Sequence, residues 1–374
     1  MRVVMISKAC VVGIYQRKLE EIARFPDVDL TVIVPPSWHD PSGDLRLERA
    51  YVDGYRLLVE PIRFNGDFHL YHFPTLARRL DDICPDIVHI DEEPYNVATW
   101  HALWLSHRIR ARIIFFSWQN ILRRYPLPFS IGERYTLRNV DYGIAGTQSA
   151  AEIWRAKGYN GPLAVIPQFG VDPVSFAPTE QRCDGQHFVV GYVGRLVPEK
   201  GVDLLIRALA KVPGPWQLKI IGQGPERAAL ERLSHDLHVQ DRVSFVGHFP
   251  STRMPDFYRE LDALVIPSRT LLNWKEQFGR VIIEAMACGV PVIGSDSGAI
   301  PDVIGDAGLI FPEDDVAALT QHLRTLRSDE ALRSQLALRG RARAVERFTH
   351  AQIAAQTVEI YRQLSTLSSH PFSS

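Results

Sequence analysis

Two pairs of charged residues have types and spacings that can do chemistry. Arg195 and Lys200 lie in GRLVPEKG, residues 194–201, between an apolar run that ends at Gly194 and a helical pattern that begins near Val202. Two fixed cations close to a helix N-terminus, with its unpaired backbone N–H groups, make a site for a diphosphate. The plainer alternative is a solvated loop. Glu276 and Glu284 lie in EQFGRVIIEAMACGVPVIGSDSG, residues 276–298. Glu284 interrupts Val281, Ile282, Ile283, Ala285, Met286 and Ala287, where a buried helix calls for another apolar side chain. A carboxylate in such company is costly unless a partner receives it. A sugar hydroxyl is one such partner and a structural arginine another. Glu276 sits in the loop before the helix, so both glutamates can border one cleft without sharing a helix face. Phe278, Gly279 and Arg280 precede a helix expected over 281–288, and Gly289 suits its C-terminal stop. Backbone N–H groups at that N-terminus can hold sugar hydroxyls and phosphate oxygens.

Weaker signals accompany these. Gly222 and Gly224 in GQGPE again fall where a strand opens into a helix, and glycine lets backbone approach a ligand closely. A tight turn explains them equally well. The following strand ends in VGHF, residues 246–249, where the backbone from Val246 can bond a base edge. The D-x-D at Asp27 and Asp29 enters a strand and reads as a plain loop. His69 and His72 have H-x2-H spacing with no further ligand set, so no metal is expected.

The elements that must position these residues are legible as alternation. Short β-rich runs fall at 2–7, 29–35, 86–91, 112–118, 142–147 and 162–167, then at 187–194, 217–222, 242–247, 263–268, 291–296 and 308–312. They are nearly continuously apolar, as parallel strands covered on both faces should be. Helical patterns separate them, for example 202–212 and 226–237. Alternating β and α predicts an α/β fold of two Rossmann-like, doubly wound domains. Ligands of such sheets bind beyond the carboxyl ends of the strands, so two domains facing each other would place a site in the cleft between them. The expected division is residues 1–170, a linker at 171–186 and residues 187–350, with a C-terminal helix at 351–365 returning to the first domain. Thr349 can cap that helix.

The 374 residues suit two domains. A formal net charge of -1 supplies no basic field for nucleic acid. Cys10, Cys84, Cys183 and Cys288 form no C-x2-C pair, which argues against a disulfide framework or zinc site and suits a reducing compartment. Lys8 breaks the opening apolar run, and no run approaches the ~18 residues of a membrane span. A cytoplasmic chain is expected. Residues 101–150 nevertheless carry Arg108, Arg110, Arg112, Arg123, Arg124, Arg134 and Arg138 against only Glu133 and Asp141. That segment is either a solvated surface or a patch for anionic lipid headgroups at the inner face of a membrane or for a lipid diphosphate.

Taken in order, GRLVPEKGVDLL, IIGQGPE, VSFVGHF, LVIPS, EQFGRVIIEAMACGVPVIGSDSGAIPDVI and GLIFP resemble the retaining glycosyltransferases of family 4, with the GT-B fold. The first half resembles them more loosely, through PDIVHID, DYGIAGTQSAAEIWRAKG and VIPQFGVDPVSFAP. The resemblance implies transfer of a sugar from a nucleoside-diphosphate donor, with retention, to a glycan or lipid-linked saccharide of the cell envelope. It implies that Arg195 and Lys200 hold the donor diphosphate and stabilise the charge that develops on it, so that no metal or other cofactor is needed. Glu284 would accept from the ribose hydroxyls. Glu276, with the Phe278 and Gly279 backbone, would hold the transferred sugar, and the loop at Gly298 would pass nearby. Two departures mark the first half. The first βα loop, SKACVVGIYQRK, has only Gly13 where the family is often glycine-rich. Ser117, Trp118, Gln119 and Asn120 stand where the family often has a histidine. Gln119 and Asn120 can orient acceptor or sugar hydroxyls instead, and Asp91, Glu92 and Glu93 are candidates for an acceptor-side base or hydroxyl ligand, against the alternative of a solvated acidic loop. The rivals are a non-catalytic nucleotide-sugar-binding subunit and a GT-B epimerase or phosphorylase. A dinucleotide oxidoreductase is disfavoured because no G-x-G-x-x-G follows the first strand.

Overall fold

The computed structural model describes residues 1–40, 43–179, 187–247, 249–250 and 253–367. The chain divides into two compact units, Met1–Phe169 with the C-terminal segment from His350, and Gly170–Thr349. Of the segment expected as a linker, residues 171–179 belong to the second unit and 180–186 lie outside the described residues.

The first unit contains β1 (Arg2–Ile6), α1 (Arg17–Ala23), β2 (Asp29–Val34), β3 (Ser37–Asp40), β4 (Gly43–Arg46), β5 (Arg56–Val59), α2 (Leu76–Ile83), β6 (Ile87–Ile90), α3 (Val97–Arg108), β7 (Arg112–Ser117), α4 (Phe129–Asn139), β8 (Tyr142–Ala145), α5 (Gln148–Ala156) and β9 (Leu163–Val165). Seven of the strands form one sheet in the order β5-β2-β1-β6-β7-β8-β9. All its pairings are parallel, with Val4 opposite both Thr31 and Val88. Successive side chains of a strand point to opposite faces. Val3 and Met5 of β1 accordingly join one core with Leu19 and Ile22 of α1, while Val4 and Ile6 join another with Leu80 of α2 and Leu103 of α3. The sequence reading anticipated six strands here and missed β5. That strand is short, lies at the sheet edge and is only partly buried, so its apolar contrast is low. The antiparallel β3–β4 hairpin is likewise weakly buried.

The second unit contains β10 (Phe188–Val193), α6 (Val202–Leu209), β11 (Trp216–Ile221), α7 (Arg227–Asp236), β12 (Val243–Gly247), α8 (Met254–Arg259), β13 (Ala263–Ile266), α9 (Arg280–Ala287), β14 (Val292–Ser295), α10 (Ile300–Ile304), β15 (Leu309–Phe311), α11 (Val316–Ser328) and α12 (Glu330–Arg347). Its six-stranded parallel sheet has the order β12-β11-β10-β13-β14-β15. The last helix, α13 (His350–Leu367), returns to the first unit, where Ile353, Val358 and Tyr361 pack with the core beside α1.

Both units are therefore Rossmann-like. In each, the strand order reverses beside the first strand, between β1 and β6 and between β10 and β13. Such a reversal leaves adjacent loops diverging to opposite faces, which opens a crevice at the strands' carboxyl ends.

Candidate functional site

In the second unit Lys200 and Glu276, from the loops after β10 and β13, meet at the β10/β13 reversal. A short turn, Pro198–Lys200, follows β10, and Gly201 opens α6. Lys200 has two close neighbours, and a third residue steadies one of them. Its Nζ lies 2.5 Å from Glu276 Oε2 and 4.8 Å from the centre of the Trp274 ring, and Ser268 Oγ donates to the same Glu276 oxygen at 3.1 Å. Taking both charges out of water carries a penalty, which their mutual attraction and the extra hydroxyl offset. Arg195, by contrast, has a side chain that is 69% exposed, with Glu199 Oε1 3.8 Å away. One expected phosphate-binding cation is thus already engaged by a carboxylate, and the other extends into solvent.

Arg269, which the motif reading did not single out, braces this corner. It forms a bidentate pair with Asp203 at 2.7 and 2.8 Å, reaches Asp314 at 2.6 Å, and donates to the Pro198 carbonyl at 3.1 Å. Its own backbone N–H donates to Glu199 O at 2.8 Å. The loop after β13 is thereby tied to the turn that carries Lys200. The only advance signal was an arginine directly after an apolar run.

Backbone geometry seats Glu276. Gly298 has φ +56°, a left-handed conformation, and a Cβ there would lie 2.2 Å from the Glu276 carbonyl oxygen. Ala299 N donates to that oxygen at 3.0 Å. Only glycine meets both the conformation and the approach. Gly279, at φ +74°, precedes α9, and Phe278 turns its ring inward to within 5.9 Å of Phe348, which leaves its backbone at the helix entrance.

Glu284 lies on α9 and is 9% exposed. Tyr258 of α8 donates to Oε2 at 2.7 Å, and Arg280 Nε stands 3.0 Å from Oε1. Protein groups therefore engage both oxygens, including the structural arginine that the sequence left open. Burial raises the carboxyl above its ordinary range, against the pull of Arg280 and Tyr258. A carboxylate oxygen accepts more than one hydrogen bond, so a hydroxyl ligand can add to these partners.

Gly222 and Gly224 serve a close approach within the protein. A Cβ at Gly222 would lie 1.8 Å from Gly194 O, and one at Gly224 2.2 Å from Leu196 O. The loops after β10 and β11 are joined there by Leu196 N donating to Gln223 O at 2.8 Å. Val246 is exposed near the end of β12. Of the VGHF segment, His248 lies outside the described residues.

In the first unit the acidic cluster is buried, which overturns the solvated-loop alternative. Asp91 Oδ2 accepts from Ser7 Oγ at 2.7 Å and from Lys18 Nζ at 3.3 Å. Glu92 accepts from the backbone and ammonium of Lys8 at 2.7 and 2.8 Å. Glu93 accepts from Ser117 Oγ at 2.5 Å and from Trp118 N at 2.8 Å. Burial pushes the Glu93 carboxyl up to about 7, with the two hydrogen bonds opposing. Gln119 donates to Ile121 O at 2.9 Å and accepts from Lys157 Nζ at 3.3 Å, and Asn120 is buried beside it. Glu93 thus shapes the turn that carries Gln119 and Asn120. Lys8, which lies just after β1, stands at the β1/β6 reversal and holds Glu92. Its ammonium also lies 4.4 Å from the Phe68 ring. Asp27 pairs with Arg362 at 2.9 Å and Asp29 with Arg56 at 3.3 Å, as befits the plain loop expected for that D-x-D.

Residues 177–343 match the family described as "Glycosyl transferases group 1", and residues 21–173 match "Glycosyltransferase Family 4". The chain is 33% identical over 218 residues to a GDP-mannose-dependent alpha-(1-6)-phosphatidylinositol monomannoside mannosyltransferase of Mycolicibacterium smegmatis, covering 54% of this chain and 57% of that protein. It is 36% identical over 166 residues to an N-acetyl-alpha-D-glucosaminyl L-malate synthase of Bacillus anthracis, covering 43% and 42%. The chain spans about half the length of the curated relatives it matches. Among solved structures it is similar to sucrose-phosphate synthase of Thermosynechococcus elongatus, with TM-score 0.74, 23% identity and coverage of 98% and 100%. It is similar also to Anabaena Alr3699/HepE in complex with UDP, with TM-score 0.76, 20% identity and coverage of 97% and 100%. At those identities the likeness concerns the fold.

Proposed function

The chain belongs to the family 4 glycosyltransferases of GT-B fold, and from that premise we propose that it transfers a sugar, with retention, from a nucleoside-diphosphate donor to a glycan or lipid-linked saccharide. The observation that carries this reading is the meeting of Lys200 with Glu276 at the β10/β13 reversal, beside exposed Arg195. A diphosphate can take the ammonium and the guanidinium. The carboxylate it displaces from Lys200 can then accept from sugar hydroxyls. As the leaving diphosphate gains charge, fixed cations stabilise the transition state more than the ground state. This reading assigns that charge to Arg195 and Lys200, with no resident metal or cofactor. Glu276 acts as a hydroxyl ligand, and Glu284 takes ribose hydroxyls in addition to its protein partners. Asp91, Glu92, Glu93, Gln119 and Asn120 belong to the acceptor side.

The acceptor class draws support from a surface of the first unit. Ile131, Arg134 and Arg138 follow helical spacing on α4 and are exposed, as are Leu122, Arg123, Arg124 and Leu127 in the preceding loop. Exposed apolar side chains interspersed along the chain with exposed arginines suit the headgroup region of an anionic membrane. Arg112 is not part of that surface, because it pairs with Asp141 at 2.7 Å. Among the described residues no helix is long and apolar enough to cross a membrane. The reading is an enzyme acting at the inner face of a membrane by peripheral contact.

A non-catalytic nucleotide-sugar-binding role is the second reading, favoured by Ser117, Trp118, Gln119 and Asn120 in place of a histidine. None of these side chains does the acid–base work of an imidazole. A panel of nucleotide sugars scored by thermal shift, followed by product analysis with acceptor saccharides, separates the two. Stabilisation by one donor with transfer is expected. Stabilisation without transfer to any acceptor would support the second reading, and no stabilisation would defeat both.

A further inference from the structure

Trp274 lies two residues before the motif that begins at Glu276. It is half-buried and lies outside the core cluster that Val190, Leu205 and Leu218 form among the described residues. A tight antiparallel bridge fixes its backbone: Leu271 N donates to Trp274 O at 2.8 Å and Trp274 N to Leu271 O at 3.2 Å. The base of this small loop is anchored through the Arg269 backbone to Glu199 at 2.8 Å and through Thr270 to Glu313. Its tip, Leu272, is 93% exposed. The indole is therefore held by a braced turn that projects toward solvent.

What the indole faces is informative. The Lys200 ammonium is 4.8 Å from the ring centre and 2.5 Å from Glu276 Oε2. An aromatic face and a carboxylate thus flank a single point, which the ammonium occupies in the free protein. A neutral pyranose presents the matching chemistry: an apolar C–H face and, at its edge, hydroxyl donors. Aromatic rings supply contact area with fixed geometry, and a few placed acceptors supply orientation.

We propose that Trp274 is a specificity-determining residue of the donor site, packing its indole face on the transferred hexose while Glu276 accepts from that sugar's hydroxyls. The inference rests on the donor-site reading above and deepens it. Lys200 leaves the point between ring and carboxylate for the diphosphate, and the sugar enters there. A sugar bearing its own carboxylate would meet Glu276 and be disfavoured by like-charge repulsion.

The test compares calorimetric affinities of wild type, Trp274→Ala and Trp274→Phe for UDP, GDP, UDP-glucose and GDP-mannose. For the nucleotide that wild type binds, Trp274→Ala should weaken the sugar nucleotide about five- to tenfold and leave the free diphosphate within about threefold. Trp274→Phe should recover most of the loss. A fluorescence change that the sugar nucleotide evokes and the free diphosphate does not should vanish in Trp274→Phe. Equal losses for both ligands would make Trp274 a mere support of Lys200 and overturn the proposal, and so would no loss for either. Failure of wild type to bind any of the four would overturn the donor-site reading itself. Should Trp274→Ala not fold, Trp274→Phe against wild type, read by affinity and fluorescence, decides the matter.

Discussion

Lys200 and Glu276, 76 positions apart in the chain, meet at 2.5 Å through Nζ and Oε2. In the free protein the carboxylate neutralises the cation in a largely buried site. On the proposed donor-site reading, a diphosphate would compete with Glu276 for Lys200 and free Glu276 for the sugar. On that proposal, recognition of phosphate and recognition of sugar would be linked through one ammonium.

Replacing Lys200 by alanine should weaken binding of the cognate nucleoside diphosphate about ten- to a hundredfold, the worth of a hydrogen bond to a charged group. The free nucleoside should be affected little. Calorimetry with both ligands checks this, and equal losses would defeat the assignment of Lys200 to the diphosphate.

Glu284→Gln keeps an acceptor for Tyr258 and removes the charge that pairs with Arg280. Because the buried carboxyl already has protein partners, the substitution should lower stability by no more than about 1–2 kcal/mol. Donor binding should fall by about tenfold if ribose hydroxyls use the same carboxylate. A collapsed melting temperature with unchanged donor affinity would show Glu284 to be a structural partner of α8 and nothing more.

Glu93 should make stability depend on pH near neutrality. Burial raises its carboxyl from an ordinary 4.5 to about 7, so the folded state holds the proton that the unfolded state releases. Its contribution is full below about pH 4.5 and is lost as pH rises through 7, a change of about 3 kcal/mol. Lys8 and Glu92 stand in the same environment and oppose each other in sign. Urea denaturation of wild type and Glu93→Gln between pH 4.5 and 8 reads this out. The wild type should lose ground to the variant as pH rises, and curves that stay parallel would refute the claim.

Flotation with vesicles rich in anionic lipid tests the arginine-bearing surface. Wild type should float at low salt and lose most of its binding above a few hundred millimolar salt, as screening lengths shorten. Leu127→Glu combined with Ile131→Glu should reduce flotation at low salt too, since both side chains are exposed and apolar. Wild type that stays unbound on anionic vesicles at low salt would remove this surface from the account.

What the linear chain determined was the buried strands of both sheets and the candidate residues of one half. Twelve apolar runs separated by helical patterns specify parallel sheets, because a strand buried on both faces has little room for polar residues. Arg195 with Lys200, and Glu276 with Glu284, were visible because a charge beside a glycine or inside an apolar run is a local anomaly. The edge strand Arg56–Val59 escaped notice because partial burial relaxes that rule. Tertiary structure alone decided who pairs with whom. Nothing in the spacing says that Lys200 rests on Glu276, that Arg269 ties two loops together, or that Glu93 receives Ser117 and Trp118. Those partners come from different strand ends: Lys200 and Arg269 meet theirs across the reversal between β10 and β13, and Glu93 meets Ser117 and Trp118 across the adjacent strands β6 and β7. The same folding changed the standing of Asp91, Glu92 and Glu93. As sequence they read either as a solvated acidic loop or as acceptor-side ligands, and in the fold they are buried and accept hydrogen bonds from Ser7, Lys8, Lys18, Ser117 and Trp118.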